Sequence, residues 1–419
     1  MRVRALVPIG IVLLATGCGS ADRTTTVTSQ LVRANVPRAT ASVSASDAAA
    51  LRDGNALFAG RILAVVARGR QNVALSPASI SQALAMVFPG ARGATSSEMA
   101  GALDFRLPAD RLGAAFNAID RSLESVNGAD ASLNVANALY GQIGQRFHEE
   151  FLRALARDYG AGLRTVDFER AAETARAEIN AWVSAKTNGK IPELLGPGDA
   201  DASTRLMLVN AVYLKAKWLS PFTKQSTFPA MFHTPDGAVE VPTMHQTGAF
   251  GYRQGAGYQA LELPYRGGRL AFDILLPSPG GMPSLLSRLA GVGPLSLLDG
   301  LRRQQVGLAL PKFRFDSRFE LASALKALGM RLAFEPGRAD LSGIAGKPGD
   351  LYIKSVVHEA YLSVDEAGTE AAAATGVGIS PTAMPAPPRI EVVVDRPFAF
   401  VLRDLKTGAV LFTGVVSKP

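Results

Sequence analysis

The chain has 419 residues, 47% hydrophobic and 19% charged, which supplies one large core or two medium ones and excludes disorder along most of its length. Its net charge of +8 is spread over scattered Arg and Lys residues, so nothing marks a nucleic-acid surface. A single cysteine excludes an intramolecular disulfide, and exported stability must then come from packing.

In chain order, Arg2 and Arg4 precede an apolar stretch from Ala5 to Ala15 that is too short to anchor in a bilayer and has the pattern of an export signal. It closes on Leu14-Ala15-Thr16-Gly17-Cys18, small residues running into the cysteine as in a bacterial lipobox. Cys18 is then the residue that takes the lipid, with ordinary secretion and nearby cleavage as the alternative. The expected location is exported, either extracellular or lipid-anchored at the cell surface, with that anchor as the sole membrane contact. Residues 19–46, rich in Ser, Thr and Ala without apolar periodicity, read as a tether to one folded domain over residues 47–419.

Apolar residues at helical spacing predict helices over Asp47–Ala67, Pro77–Val87, Ser96–Leu103, Ala109–Val126, Glu149–Asp158 and Ala171–Thr187. Alternating or continuous apolar runs predict strands over Leu206–Leu214, Tyr258–Pro264, Leu270–Leu276, Val306–Leu310, Tyr352–Val364, Ile390–Val394 and Phe398–Leu402. Helices early and strands late make the fold class α+β with antiparallel or mixed sheets.

Enzyme signatures are missing. The four histidines, His148, His233, His245 and His358, stand in no metal-ligand spacing, and neither H-E-x-x-H nor G-x-S-x-G occurs. Gly346-Lys347 is followed by Pro348 where a phosphate loop needs Ser or Thr, and Gly376-Val377-Gly378 opens no helix. No metal, cofactor or catalytic residue is expected.

The most informative stretch is Asp365-Glu366-Ala367-Gly368-Thr369-Glu370-Ala371-Ala372-Ala373-Ala374-Thr375, followed by Gly376 to Pro385. If extended, Thr369, Ala371, Ala373, Thr375, Val377 and Ile379 share an apolar or hydroxyl-bearing side, and Glu370, Ala372, Ala374, Gly376 and Gly378 the other. No proline interrupts Glu366 to Ser380, so every amide there can donate to a β-ladder.

The string E-x-G-T-E-A-A-A-A-T resembles the reactive-loop hinge of inhibitory serpins. Asn72–Ala83, Gly90–Thr95, Asn180–Val183 with Lys186–Ile191, Leu208–Trp218, Leu310–Phe313, Ala339–Ile344 and Asp395–Phe398 are similar to further motifs of that family, in order, over essentially the whole folded chain. The resemblance implies a serpin fold of three β-sheets with eight or nine helices, and an exposed reactive loop over about residues 366–389. It implies a hinge of Glu366, Gly368, Thr369, Ala371, Ala372, Ala373 and Ala374, and a charged breach pair of Lys312 and Glu366. Ser76, Ser79, Asn210 and His358 fall in the shutter, and Trp218 is a packing anchor near the gate.

What such a protein does is trap a serine or cysteine protease covalently: the acyl-enzyme forms on the loop, and the freed hinge then inserts as a new central strand of roughly 40 Å before water can release it. Counting about seventeen residues from Glu366 places the scissile bond at Thr382–Ala383, with Met384 as the fallback. The lack of Lys or Arg before Arg389 favours an elastase-like or subtilisin-like target over a trypsin-like one. A monomer with no nucleic-acid partner is expected. Arg111–Glu124 mixes both charge signs, which argues against polyanion activation. The rival readings are a non-inhibitory carrier or chaperone serpin and, more remotely, a secreted hydrolase.

Overall fold

The computed structural model describes residues 29–40, 42–369 and 390–419. Its helices are α1 (Ala45–Val66), α2 (Pro77–Val87), α3 (Gly93–Leu103), α4 (Ala109–Glu124), α5 (Glu149–Tyr159), α6 (Phe168–Lys186), α7 (Met282–Leu298) and α8 (Ala322–Ala327). Its strands are β1 (Gln30–Val32), β2 (Asn72–Leu75), β3 (Ala131–Gln142), β4 (Leu163–Val166), β5 (Leu206–Lys217), β6 (Thr227–Thr234), β7 (Gly237–Gly255), β8 (Tyr258–Pro264), β9 (Leu270–Pro277) and β10 (Arg302–Pro311). They continue with β11 (Phe313–Glu320), β12 (Ser355–Val364), β13 (Gly368–Thr369), β14 (Ile390–Val393), β15 (Phe398–Asp404) and β16 (Val410–Val416).

Helix starts follow capping chemistry. The Ser44 side chain accepts from the Asp47 N–H and opens α1 earlier than the periodicity alone places it, while Ser76 caps α2 with Pro77 at its first position. Asp167 caps α6 by accepting from Arg170 N–H, so that helix starts at Phe168 and absorbs a non-helical kink at Ala171.

The strands form two ladders. One has seven strands in the order β1-β4-β3-β5-β13-β12-β11, the other nine along β14-β10-β7-β8-β9-β15-β16-β2 with β6 beside β7. The second and third sheets expected from the sequence are joined because the 19-residue β7 serves both. Its first residues, Gly237–Met244, pair β6, its middle, Thr243–Tyr252, pairs β10, and its last, Gly251–Gly255, pair β8.

The inner face of the seven-stranded sheet packs on the nine-stranded ladder through Val212, Leu214, Ala360, Leu362, Phe272, Phe398 and Phe400, and lower down on α1 and α2. Its outer face is covered by α6 and the segment after it, over Ala136, Tyr140, Met207, Val209 and Val357.

The tether expectation needs correction from Ser29 onward. Residues 30–32 form an edge strand antiparallel to β4, and Ser29 N–H donates to Glu178 of α6 at 2.8 Å. Arg38 then reaches α4, donating to Asn117 at 2.7 Å, to Glu124 at 2.8 Å and to Asp120, while Ala39 N–H donates to the Arg157 carbonyl of α5. Backbone pairing and one guanidinium hold this arm, and neither leaves an apolar period to read. Arg38 is only 18% exposed. Arg38→Ala should therefore lower the stability measured by urea unfolding by ~1 to 2 kcal/mol, and replacing the exposed Arg33 should leave it unchanged.

Candidate functional site

β5 and β12 read as continuous apolar runs because both their faces are covered, and every residue of β5 from Leu206 to Leu214 is buried. They pair in parallel from Met207/Ser355 to Tyr213/Tyr361. Beyond that point they part, and the two residues of β13 sit between them, Thr369 opposite both Ala216 and Val364 and Gly368 opposite Lys217. The central seam is thus closed along most of its length and wedged open at one end by the start of the predicted hinge.

The wedge is held from all sides. Trp218 N–H donates to the Ala367 carbonyl at 3.0 Å and its indole N–H to the Asp365 carbonyl at 2.9 Å, while Phe222 N–H donates to the Glu366 carbonyl at 2.9 Å. Trp218 is more than a packing anchor, since it stacks on Tyr265 at 4.5 Å and both rings back the turn. Gly368 is required by proximity: a Cβ there would lie 2.0 Å from the Ala216 carbonyl oxygen. Thr369 is fully buried with its hydroxyl bonded to the Tyr265 hydroxyl.

Lys312 donates to both carboxylate oxygens of Glu366, at 3.1 and 2.8 Å, and Thr227 donates to one of them at 2.9 Å. Burial works against the Glu366 charge, but the bonds from Lys312, its own backbone and Thr227 outweigh it and hold the carboxyl below its ordinary range.

Below the wedge the structure brings Ser76, Ser79, Asn210 and His358 into one buried network. Ser76 N–H donates to His358 Nε2 at 3.1 Å, and His358 Nδ1 bonds Asn210 Oδ1 across the seam. Because Nε2 accepts from a backbone amide, the proton must sit on Nδ1 and the imidazole must be neutral. Asn210 in turn donates toward Ser79 Oγ and Asn137 Oδ1, and Ser79 Oγ donates to Asn137 at 2.9 Å. Asn137 of β3, directly opposite Asn210, escaped the sequence reading. The signal was there as a polar residue in the alternation Val135-Ala136-Asn137-Ala138-Leu139, but small alanines hid the strand.

Burial holds the His358 pKa down to about 3 against an ordinary 6.5. Glu359, its neighbour, faces the opposite side of β12, and one of its carboxylate oxygens is buried without a hydrogen-bond partner. Burial, with the nearby Asp316 charge, pushes its pKa up to about 7.

Among the described residues no group of three or more His, Cys, Asp and Glu could hold a metal. Ala371, Ala372, Ala373, Ala374, Thr382, Ala383, Met384 and Cys18 lie outside the described residues.

The family model described as "Serpin (serine protease inhibitor)" matches residues 53–419. An uncharacterised serpin-like protein of Thermococcus kodakarensis is 40% identical over 359 residues, covering 84% of this chain and 82% of that protein. Leukocyte elastase inhibitor A of Rattus norvegicus is 38% identical over 381 residues, covering 88% and 99%. The native state of the thermophilic serpin tengpin superposes with a TM-score of 0.84 at 27% identity, covering 94% of this chain and all of that one. The chain belongs to the serpin family, and the fold is the serpin fold. Its relatives place it with protease inhibitors in general.

Two pH dependences follow from the seam. The unfolded chain protonates His358 first, so the stability it contributes is present above pH 6.5 and is lost progressively as pH falls toward 3. His358→Gln should flatten the fall of the unfolding midpoint between pH 7 and pH 4, and an unchanged slope would assign the acid sensitivity elsewhere. Glu359 has the opposite sign, because its raised pKa makes the ionised form a cost that is full above about pH 7 and relieved below it. Glu359→Gln should stabilise the protein by ~1 kcal/mol or more at pH 8 and by less at pH 5.5 in the same urea titrations.

Proposed function

We propose that this serpin is a suicide-substrate inhibitor of serine, and by the same chemistry cysteine, endopeptidases, with an elastase-like or subtilisin-like target. The observation that carries the reading is the wedge: Gly368 and Thr369 already pair with both β5 and β12 at the mouth of a seam that is otherwise closed.

Carrying that register onward sets the whole hinge against suitable neighbours. Ala371 would meet Leu214 and Leu362, Ala373 would meet Val212 and Ala360, and Val377 would meet Leu208 and Val356, all on the inner apolar face. Thr375 would arrive between Asn210 and His358, where its hydroxyl can replace part of the bond that opening breaks. Glu370 would face Lys215 on the outer side. One parallel ladder would give way to two antiparallel ones, and a strand of about ten residues at ~1 kcal/mol per net ladder bond supplies a driving force on the order of 10 kcal/mol.

The chemistry belongs to the protease. Its nucleophile attacks the carbonyl carbon of the reactive bond, Thr382–Ala383 in this reading, the amine side departs with a proton from the protease's own general acid, and an ester or thioester to the protease remains. Insertion then drags the protease away from that end of the sheet, which disorders its oxyanion hole and stalls attack by water. The breach pair Lys312–Glu366 and the Ser76–Ser79–Asn210–His358 cluster hold the sheet closed until the cut. Export and a lipid at Cys18 would place the inhibitor where foreign or released proteases meet the cell. Rival reaction types find less support, since Ser76, Ser79, Asn137, Asn210 and His358 bond one another in a buried network rather than presenting a nucleophile and base to an open cleft.

Incubation with elastase-like and subtilisin-like proteases should give a complex that survives denaturing electrophoresis. Thr369→Arg, which forces a charge into the buried wedge, should convert the protein to a substrate that is cut and released. Nicking the loop should raise the unfolding temperature. Cleavage without complex and without that rise would favour a carrier or chaperone role.

A further inference from the structure

Tyr213 and Tyr361 are the last directly opposed pair of the parallel β5–β12 ladder, next below the point where Gly368 and Thr369 separate the strands. Their rings lie 6.4 Å apart at 52° on the outer, α6-facing side of the sheet. Lys190, on the segment that follows α6, sets its ammonium 6.0 Å from the Tyr213 ring centre and 5.7 Å from that of Tyr361. Arg314 of β11 lays its guanidinium 5.4 Å from the Tyr361 ring. One cation is therefore shared by two rings on opposite sides of the line along which the sheet must part, and a second steadies one of those rings.

We propose that Tyr213, Tyr361 and Lys190 form a clasp whose release sets the rate at which a new strand enters the sheet. The inference rests on the insertion reading and deepens it by naming the residues that time the step. Separation of β5 from β12 must begin at the wedged end, because starting anywhere else would break ladder bonds on both sides of the gap at once. The first pair to part is then Tyr213/Tyr361. In the register fixed by Thr369, the third residue beyond it passes between these two rings, so their contact and the shared ammonium are lost as that residue arrives and are not remade across the new strand.

Lys190 adds a second consequence. Its backbone belongs to the segment leaving α6, so the clasp ties the cover of the outer face to the seam, and the segment must release its cation before the strands can move apart. Loss of a mere packing contact would lower overall stability. Loss of a clasp lowers the barrier to opening specifically.

The full-length chain provides the test, with a synthetic peptide of the sequence of residues 369–380 as the probe strand. Uptake is followed as a mobility shift on native gels and a rise in unfolding temperature. Tyr361→Val should take up the peptide about tenfold faster than the unaltered chain, a ratio equivalent to ~1.4 kcal/mol in the barrier, and Lys190→Met about threefold faster. Tyr361→Phe, which keeps the ring, should stay near the unaltered rate, as should Lys186→Met on the neighbouring surface. The double variant should fall short of the product of the single effects, because both act on one contact. Urea midpoints of the variants establish that each is folded, with Lys190→Met, a surface change, as the safeguard. Uptake by all variants at the unaltered rate would overturn the clasp and leave insertion intact. No uptake by the unaltered chain would overturn the insertion reading itself, and the clasp with it.

Discussion

The rest of the molecule depends on one arrangement: two neighbouring strands, β5 and β12, that are buried on both faces and paired in parallel, with the start of a third strand lodged between them at one end. Parallel strands need cover on both sides, and here α6 supplies one cover and the nine-stranded ladder the other. That cover is what makes the seam useful. A strand that slid in would find apolar walls already formed above and below it, and would add ladder bonds on two edges without new desolvation of the sheet's outside. Under the proposed insertion, the site is a line along which the sheet would be re-paired, and its chemistry is hydrogen bonding and burial.

For the proposed insertion to work, such a line has to be held shut by contacts weak enough to yield. The structure supplies them as polar and aromatic pairs that bridge the strands, where a purely apolar seam would rely on side chains that pack equally well in either state. His358 and Asn210 bridge on the inner face, neutral and fully buried, and the network through Ser76, Ser79 and Asn137 fixes their orientation. The same strands also carry groups that fit poorly. The Ser355 hydroxyl and one Glu359 oxygen are buried with no hydrogen-bond partner, and each costs about 1 to 3 kcal/mol. Unsatisfied groups along the strands that the proposed insertion would separate fit a native form above the lowest energy available to the chain.

Much of this was legible in the residues, unevenly and for physical reasons. β5, β9 and β15 announce themselves as apolar runs, and α1, α2 and α5 by helical spacing with capping residues. β3 and β11 did not, the first because alanine and asparagine dilute its alternation and the second because Arg314, Asp316, Arg318 and Glu320 line its exposed side. α7 was obscured by Gly293 and Pro294, where the helix is interrupted. Within the site, the partners that lie close in a recognisable string, Ser76 with Ser79 and Glu366 with Gly368, could be named beforehand. Lys312, Asn210 and His358 reach their partners only through tertiary pairing, but Lys312 and Asn210 lie in strings that resemble family motifs and His358 matches the family's shutter, so they could be named as well. Asn137, Tyr265 and Thr227 lie in no such string and could not.

The order of the seam's contacts along β12 gives the proposed opening a direction. Counting from Thr369 at ~3.3 Å per residue, the Tyr213/Tyr361 pair lies about 10 Å down the seam on the outer face, and His358/Asn210 about 20 Å down on the inner face. The two therefore sit in series and on opposite sides, so an advancing strand meets the first before it disturbs the second. An early contact of exposed cation and half-buried ring is sensitive to what happens at the surface of α6. A late contact of neutral, desolvated groups is insensitive to salt and responds to acid only far below neutrality. If the proposed insertion holds, series placement would let the outer contact govern how often the sheet begins to open and the inner one decide whether an opening goes to completion. On that proposal, the wedge at Gly368 and Thr369 would start every attempt at the same end.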